Sequence, residues 1–281
     1  MARELTRELT LGHSPDPDDA FMFYALAAEK IDTEGLSFRY VLQDIETLNR
    51  RALNAELDIT AISVHAYASV LDRYALLPSG ASMGEGYGPM VVSKEPLALS
   101  ALPDSWIAIP GTLTTAYLTL KLVVPKFHFV VMPFDLVMDA VADGAVDAGL
   151  IIHEGQLTYR DRGLHKVIDL GEWWQQETGL PLPLGANVVR KDLGPALIRK
   201  ISRILSRSIR YGLEHREEAL DHALRYARDM GYPLTDRFVA MYVNDLTVDY
   251  GEKGRRAVRT LLERAHKAGL LPQPVELEFV E

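Results

Sequence analysis

The chain has no cysteine among its 281 residues. That removes disulfide staples, thiolate metal ligands and cysteine nucleophiles together. It also lacks any run of roughly 18 apolar residues of the kind that spans a bilayer, so no membrane partner is expected. The opening MARELTRELT places Arg3, Glu4, Arg7 and Glu8 where a secretory signal needs an unbroken apolar stretch, and a cytoplasmic protein is expected. An excess of basic charge is missing as well. There are 30 Lys and Arg against 39 Asp and Glu, a net charge of -9, and no Lys/Arg cluster with interleaved aromatics reverses that field locally. Nucleic acid is therefore not an expected partner. Of the 8 histidines, none forms H-E-x-x-H, and His215 and His222, on a charged helix, read as a solvated face. No metal is expected.

The Gly-rich stretch SGASMGEGYGPMVVSKEP also excludes more than it offers. Gly80-Ala81-Ser82-Met83-Gly84 matches G-x-S-x-G, but a nucleophile elbow needs a helix straight after its serine, and Gly86, Gly88 and Pro89 follow instead. The same glycines lack the G-x-G-x-x-G spacing of a dinucleotide turn, so no nucleotide cofactor is expected. A loop that lets backbone approach a ligand closely is the better reading.

What is present is ordinary globular material, 48% hydrophobic and 25% charged, in a chain long enough for one large or two medium α/β domains. LTLGHS (9 to 14) reads as a strand, Pro15-Asp16-Pro17-Asp18-Asp19 as a turn with acidic caps, and AFMFYALAAEK as a helix. LSFRYVLQD (36 to 44), the amphipathic IETLNRRALNAEL and ITAISV (59 to 64) continue the alternation. After the glycines it restarts with WIAIP, GTLTTAYLTLKLVV, FHFVVMPF, DLVMDAVADGAV and AGLII. Leu57-Asp58 precedes the strand leading to His65 much as Val146-Asp147 precedes the one leading to His153, and this repeat predicts two similar lobes. Alternating strands and helices predict parallel, helix-covered sheets. From about Leu193 three amphipathic helices follow. The expected division is residues 1–96 plus 188–281 in one α/β lobe and 97–187 in the other, with hinge segments near Val92-Ser93 and Asn187-Val188.

In such folds ligands sit at the carboxyl ends of strands and in the cleft between lobes. Four loops therefore matter, those after Ser14, Ser63, Pro110 and Ile152. Gly111 to Tyr117 opens a helix, so its amides and the Thr114 and Thr115 hydroxyls read either as an anion cradle or as an ordinary threonine cap. A carboxylate suits such a cradle better than a polyphosphate, because no lysine or magnesium signature accompanies it. His153 ends its strand with a side chain whose usual pKa of about 6.5 suits proton transfer, or it is a structural, hydrogen-bonded histidine. Asp18, Asp19 and Ser63, at equivalent strand ends, read as contacts for polar ligand groups or, for the aspartates, as helix caps. Trp173-Trp174 and the following PLPLG form either an apolar wall or buried packing.

Taken in order, SPDPDDAFMFYAL, DIETLNRRAL, SGASMGEGYGPMVVS, GTLTTAYL, AGLIIHEGQLTY and DLGEWWQQETGLPLPLGANVVRKDLG resemble the 1,4-dihydroxy-6-naphthoate synthase family of the futalosine pathway of menaquinone biosynthesis. The resemblance covers nearly the whole chain. It implies a periplasmic-binding-protein-like (type II) α/β fold, two lobes with a hinge and an interlobe cleft. It implies a carbon-carbon lyase that converts cyclic dehypoxanthine futalosine into 1,4-dihydroxy-6-naphthoate without a redox cofactor. His153 is then the catalytic base, Thr114 and Thr115, with Gly111 in the same turn, hold the ligand carboxylate, and Ser63, Asp18 and Asp19 make further contacts. The expected partner is a small aromatic carboxylate, and a homodimer is compatible with this reading. The alternatives are a small-acid lyase resembling chorismate dehydratase, or a non-catalytic carboxylate-binding protein of the same fold.

Overall fold

The structure is a computed structural model that describes residues 7–228 and 230–281. Among the described residues the strands are β1 (Arg7–His13), β2 (Leu36–Leu42), β3 (Ile59–Ser63), β4 (Tyr74–Leu76), β5 (Ser82–Gly84), β6 (Met90–Ser93), β7 (Trp106–Ile109), β8 (His128–Val131), β9 (Ala148–Ile151), β10 (His165–Asp169) and β11 (Leu182–Arg190). The chain divides into two compact units. The first comprises Met1–Ser82, Gly185–Gly251 and Glu276–Glu281, and the second Met83–Leu184 and Glu252–Val275.

The first sheet has the order β2-β1-β3-β11-β4, with β5 beside β11. In it β1 is parallel to β2 and β3, while β11 runs antiparallel to β3 and β4. The second has the order β10-β6-β9-β7-β8, with β7 parallel to β8 and β9 and β6 antiparallel to β9 and β10. Both sheets are thus mixed, where strand-helix alternation predicted parallel ones. A parallel neighbour needs a crossover connection. β6 instead follows β5 after a short loop, and β11 enters the first sheet directly from residues of the second unit.

The division also falls elsewhere than expected. Residues 83–96 belong to the second unit because β6 is a strand of its sheet. Val92-Ser93 and Asn187-Val188, expected as hinges, lie inside β6 and β11, where Val92, Ser93 and Val188 have strand neighbours on both sides and Asn187 pairs with Ala61 of β3. Val91-Val92 and Val188-Val189 are β-branched pairs that favour such pleated positions. The helix Gly251–Lys267 does not return to the first unit either. From Glu252 it joins the second, where Arg264 lies over the Trp174 ring at 5.4 Å and pairs with Glu177, and Lys253 pairs with Glu85. Its amphipathic pattern requires a core but cannot say which one.

Each unit has its own core. In the first, Phe21, Met22 and Phe23 of the helix Pro17–Ala27 pack with Leu9, Leu11 and Ile59 of the sheet and with Ile201, Ile204, Leu205 and Ile209 of the helix Pro195–Glu214. In the second, Met90, Val92, Ala108 and Ile151 of the sheet meet Val137 and Val141 of the helix Val137–Ala142.

The sequence repeat has a physical basis. Asp58, one residue before β3, accepts hydrogen bonds from Thr10 N at 2.8 Å and Thr10 Oγ1 at 2.9 Å. Asp147, one residue before β9, accepts one from Trp106 N at 2.7 Å. The registers match, since Leu11 pairs with Ile59 and Ile107 with Ala148. In both units an aspartate just before one strand is hydrogen-bonded to the parallel neighbour, so the paired strands end at the same edge of their sheet.

Candidate functional site

In the second unit that edge carries the turns after β7 and β9, which are parallel neighbours. The turn after β9 holds His153 with φ of 55°. Residues with a side chain enter this left-handed region uncommonly, although histidine does so more than most. A half-buried histidine in that conformation, edge-on to Phe134 with ring centroids 4.9 Å apart, is an outlier of the sort that collects at functional sites. Its carbonyl accepts from Gln156 N at 3.2 Å, at the entry to the short helix Gly155–Thr158.

The turn after β7 brings Gly111, Thr114 and Thr115 to the start of the helix Thr115–Val123. Thr114 is a true cap: its hydroxyl accepts from Tyr117 N at 3.1 Å and donates to Gly111 O at 2.9 Å. The Thr115 hydroxyl donates to Leu184 O at 2.7 Å. The expected cradle is therefore corrected in one respect, because both hydroxyl protons go to protein carbonyls. The turn still lies at the positive end of the helix, with the Tyr117 amide already taken by the Thr114 cap.

In the first unit the equivalent edge carries the turns after β1 and β3. Ser63 is buried and doubly tied to Asn49: its N–H donates to Asn49 Oδ1 at 2.7 Å, and its hydroxyl accepts from Asn49 Nδ2 at 3.0 Å. Asp19 does not cap the helix Pro17–Ala27 but accepts from Ser14 N at 2.7 Å and Ser14 Oγ at 2.8 Å, closing the loop on itself. Asp16 pairs with Arg228 at 3.1 Å. Asp18 is buried, and its Oδ1 has no hydrogen-bond partner among the described residues.

These groups share a poorly hydrated place. Burial pushes the Asp18 carboxyl well above the usual carboxylate range, and the charges of Asp19 and Asp16 push it the same way. Burial raises Asp19 too, with His13 pulling it back. His13, at the end of β1, is held below the usual imidazole value by burial, with Asp19 opposing. Its Nδ1 lies 2.8 Å from Ser14 O and its ring 4.9 Å from that of Phe23. A carbonyl can only accept, so Nδ1 carries the proton and Nε2 is the basic nitrogen of the neutral ring.

Sequence reasoning named His153, Thr114, Thr115, Gly111, Ser63, Asp18 and Asp19 as site candidates, read Asp16 only as a helix cap, and did not name His13, Asn49 or Arg228. His13 had a readable signal, since it ends its strand. Asn49 and Arg228 come from other elements and had none. His222 is corrected: it is half-buried, its ring 5.4 Å from Tyr24 and 5.7 Å from Tyr226, whereas His215 is exposed and stacks on Tyr211 at 3.8 Å. The glycine loop serves the chain itself, because a Cβ on Gly84 or Gly171 would overlap the Tyr87 carbonyl. Trp174 is packing, fully buried with Nε1 donating to Pro181 O at 3.0 Å. Among the described residues no group of three or more His, Asp or Glu is arranged to hold a metal ion, and no helix is long and apolar enough to cross a membrane.

Comparison with known proteins adds a family. A family described as menaquinone biosynthesis matches residues 9–267. A 1,4-dihydroxy-6-naphtoate synthase of Thermus thermophilus is 46% identical over 267 residues, 95% of this chain and 97% of its own length. One of Streptomyces coelicolor is 39% identical over 270 residues, 94% of this chain and 95% of its own. A solved structure from Archaeoglobus fulgidus superposes with a TM-score of 0.91 at 47% identity, covering 95% of this chain and all of that one. A Candida albicans protein with the generic periplasmic binding protein fold superposes at 0.66 with 14% identity, covering 98% and 97%. The fold is therefore the periplasmic-binding-protein-like α/β fold.

Proposed function

The chain belongs to the menaquinone biosynthesis family of enzymes, and from that membership we propose that it is a carbon-carbon lyase converting cyclic dehypoxanthine futalosine into 1,4-dihydroxy-6-naphthoate. Two relatives named for that product, at 46% and 39% identity over nearly the whole chain, support the assignment. The observation that carries it is the left-handed backbone of His153 at the end of β9, on the sheet edge shared with the Gly111–Thr115 turn.

In this reading the aromatic carboxylate of the substrate rests at the positive start of the helix Thr115–Val123, in the turn of Gly111, Thr114 and Thr115. Asp18, Asp19 and Ser63 are read as contacts for other polar groups of the substrate. The imidazole of His153 takes the proton of a substrate hydroxyl, and a retro-aldol-like break of a carbon-carbon bond follows. General-base action contributes about 10²- to 10⁴-fold. The aromatic stability of the product drives the rest.

The test is incubation of the purified protein with cyclic dehypoxanthine futalosine and, separately, with chorismate, following naphthoate by absorbance and mass. Naphthoate from the first substrate is expected. Its absence, consumption of chorismate, or binding without turnover overturns the reading. A folded His153→Ala protein that binds product and still turns over normally removes the base assignment alone.

A further inference from the structure

We propose that the free edge of β8 in the second unit is a docking surface for a second copy of this chain, the two β8 strands pairing antiparallel about a two-fold axis. β8 (His128–Val131) ends its sheet, with β7 as its strand neighbour. An edge strand offers unpaired backbone donors and acceptors to other chains, and proteins blunt such edges with charges, bulges or a covering segment. Other terminal strands here are blunted in that way. β10, at the far end of the same sheet, carries His165 and Lys166 and an irregular register between Lys166 and Ile168. β2 carries Arg39, 3.6 Å from Glu8 of β1. β4 is covered by the tail of the chain, since Leu76 N donates to Glu278 O and Val280 N to Leu76 O, each at 2.8 Å. β8 instead reads His-Phe-Val-Val, without a Lys, Arg, Asp or Glu, and all its residues are exposed.

Met132 N donates to Ile109 O at 3.1 Å. By the alternation of a strand, His128 and Val130 then turn their N–H and C=O groups toward β7, and Phe129 and Val131 turn theirs to the open side. The side chains make this edge apolar as well. Phe129, Val130 and Val131 are 38%, 37% and 46% exposed, and Trp106 of β7 and Leu136 beyond the strand 54% and 51%. Exposed large hydrophobic residues gathered on one edge mark an interaction surface. Phe129 also stands edge-on to Tyr117 and Phe127, with ring centroids 5.5 and 6.0 Å away, so an aromatic platform flanks the free backbone.

The strand that fits this edge is its own copy. Pro125 and Pro133 bound the run, and neither can donate to a ladder. With Phe129 opposite the partner's Phe129, each proline falls opposite a proline, outside the ladder, and Val131 meets the partner's Phe127. Charge selects the antiparallel direction. Lys126 stands just before the strand and Asp135 just after it, both exposed, so antiparallel copies bring the Lys126 end of one to the Asp135 end of the other. Parallel copies would set like charges together. A two-fold contact closes on itself, so the product is a dimer and not a fibre. One strand pair with its flanking rings is small beside the roughly 800 Å² per partner of a standard interface, so the dimer forms reversibly with concentration.

Sedimentation velocity of the full chain over a concentration series tests this, and the mass should rise from 31.3 kDa toward twice that value. Val131→Pro removes an open-side N–H without touching a hydrogen bond to β7, and Phe129→Lys sets two like charges against each other at the axis. Each should weaken association more than about 10-fold, while Leu42→Lys, an exposed apolar position at the end of β2, should leave it unchanged. Should the proline variant not fold, the Phe129→Lys result alone decides. Because the chain has no cysteine, Val130→Cys treated with a short bismaleimide should give a covalent dimer, and Leu42→Cys should not. A protein that stays monomeric up to about 1 mM, that dimerises as well with Phe129→Lys, or that cross-links through Leu42→Cys as readily as through Val130→Cys overturns the inference.

Discussion

Replacing His153 by alanine and by glycine separates what its ring does from what its backbone does. The ring meets Phe134 edge-on at 4.9 Å, a contact of about 0.5–1.5 kcal/mol, and both variants lose it equally. The backbone sits at φ of 55°, where a Cβ crowds the neighbouring carbonyl at a cost of about 1–2 kcal/mol. Alanine keeps that cost and glycine removes it, although the more flexible unfolded chain of the glycine variant offsets part of the gain. His153→Gly should therefore be more stable than His153→Ala by about 1 kcal/mol and close to the unaltered protein. Urea unfolding followed by circular dichroism measures this, provided the slopes agree so that midpoints compare directly. Turnover should behave differently, since neither variant has an imidazole and both should lose about 10²-fold or more. An alanine variant as stable as the glycine variant would refute the left-handed backbone argument. A glycine variant that turns over within a few-fold of the unaltered protein would refute the catalytic one.

Two further changes test the frame around the site. Gly149 lies in β9, and an added Cβ would stand 2.7 Å from both Val137 Cγ1 and Val141 Cγ2, so Gly149→Ala should destabilise by about 1–3 kcal/mol. Adding Val137→Ala should recover part of that loss in a double-mutant cycle, and a strictly additive result would sink the steric account. Burial raises the Asp169 carboxyl to about 6, against about 3.9 in an unfolded chain. The native state then binds more protons between those values, so the stability Asp169 confers is complete below the lower one and is lost as pH rises through about 6. Asp169→Asn keeps an acceptor for Gly171 N and Glu172 N, at 2.8 and 3.1 Å. Its stability relative to the unaltered protein should therefore rise between about pH 4 and pH 7, read as the difference in urea midpoints, and a constant difference would contradict the assignment.

Much of the fold was legible because it is local. β1, β2, β3, β7, β8 and β9 and the helix Pro17–Ala27 lie where apolar runs and turn residues placed them. β4, β5 and β10 are short or irregular, and β6 and β11 follow the glycine and proline stretches, so none has the periodicity that betrays a strand. Partners across the sheet were invisible for the same reason. The antiparallel seats of β6 and β11 depend on where the chain crosses between units, which no local pattern records. Strand-end position pointed to His153 in one unit and to the Asp18-Asp19 pair in the other. It could not show that Asp19 and Ser63 are engaged by Ser14 and Asn49, because those bonds depend on the folded loop and on a helix 14 residues upstream of Ser63.

The repeat also indicates which residues folding alone would have left alike. Both units need an aspartate clamp, an apolar parallel strand and a helix after the first strand, and both have them. Where the two copies differ, folding does not explain the difference. Thr114 and Thr115 satisfy their turn with their own hydroxyls, so two hydroxyls suffice for this geometry, yet the first unit buries two carboxylates in the same places. Burying like charges together opposes folding. The other divergence is at the second strand end. His65 is seven residues past Asp58 and His153 six past Asp147, so the position of His153 is filled in the first unit by Val64, an apolar and fully buried residue. The left-handed imidazole on one copy and the crowded acids on the other are each less stable than what their counterparts show the fold can use. Both features are therefore ones that folding of the units does not by itself call for.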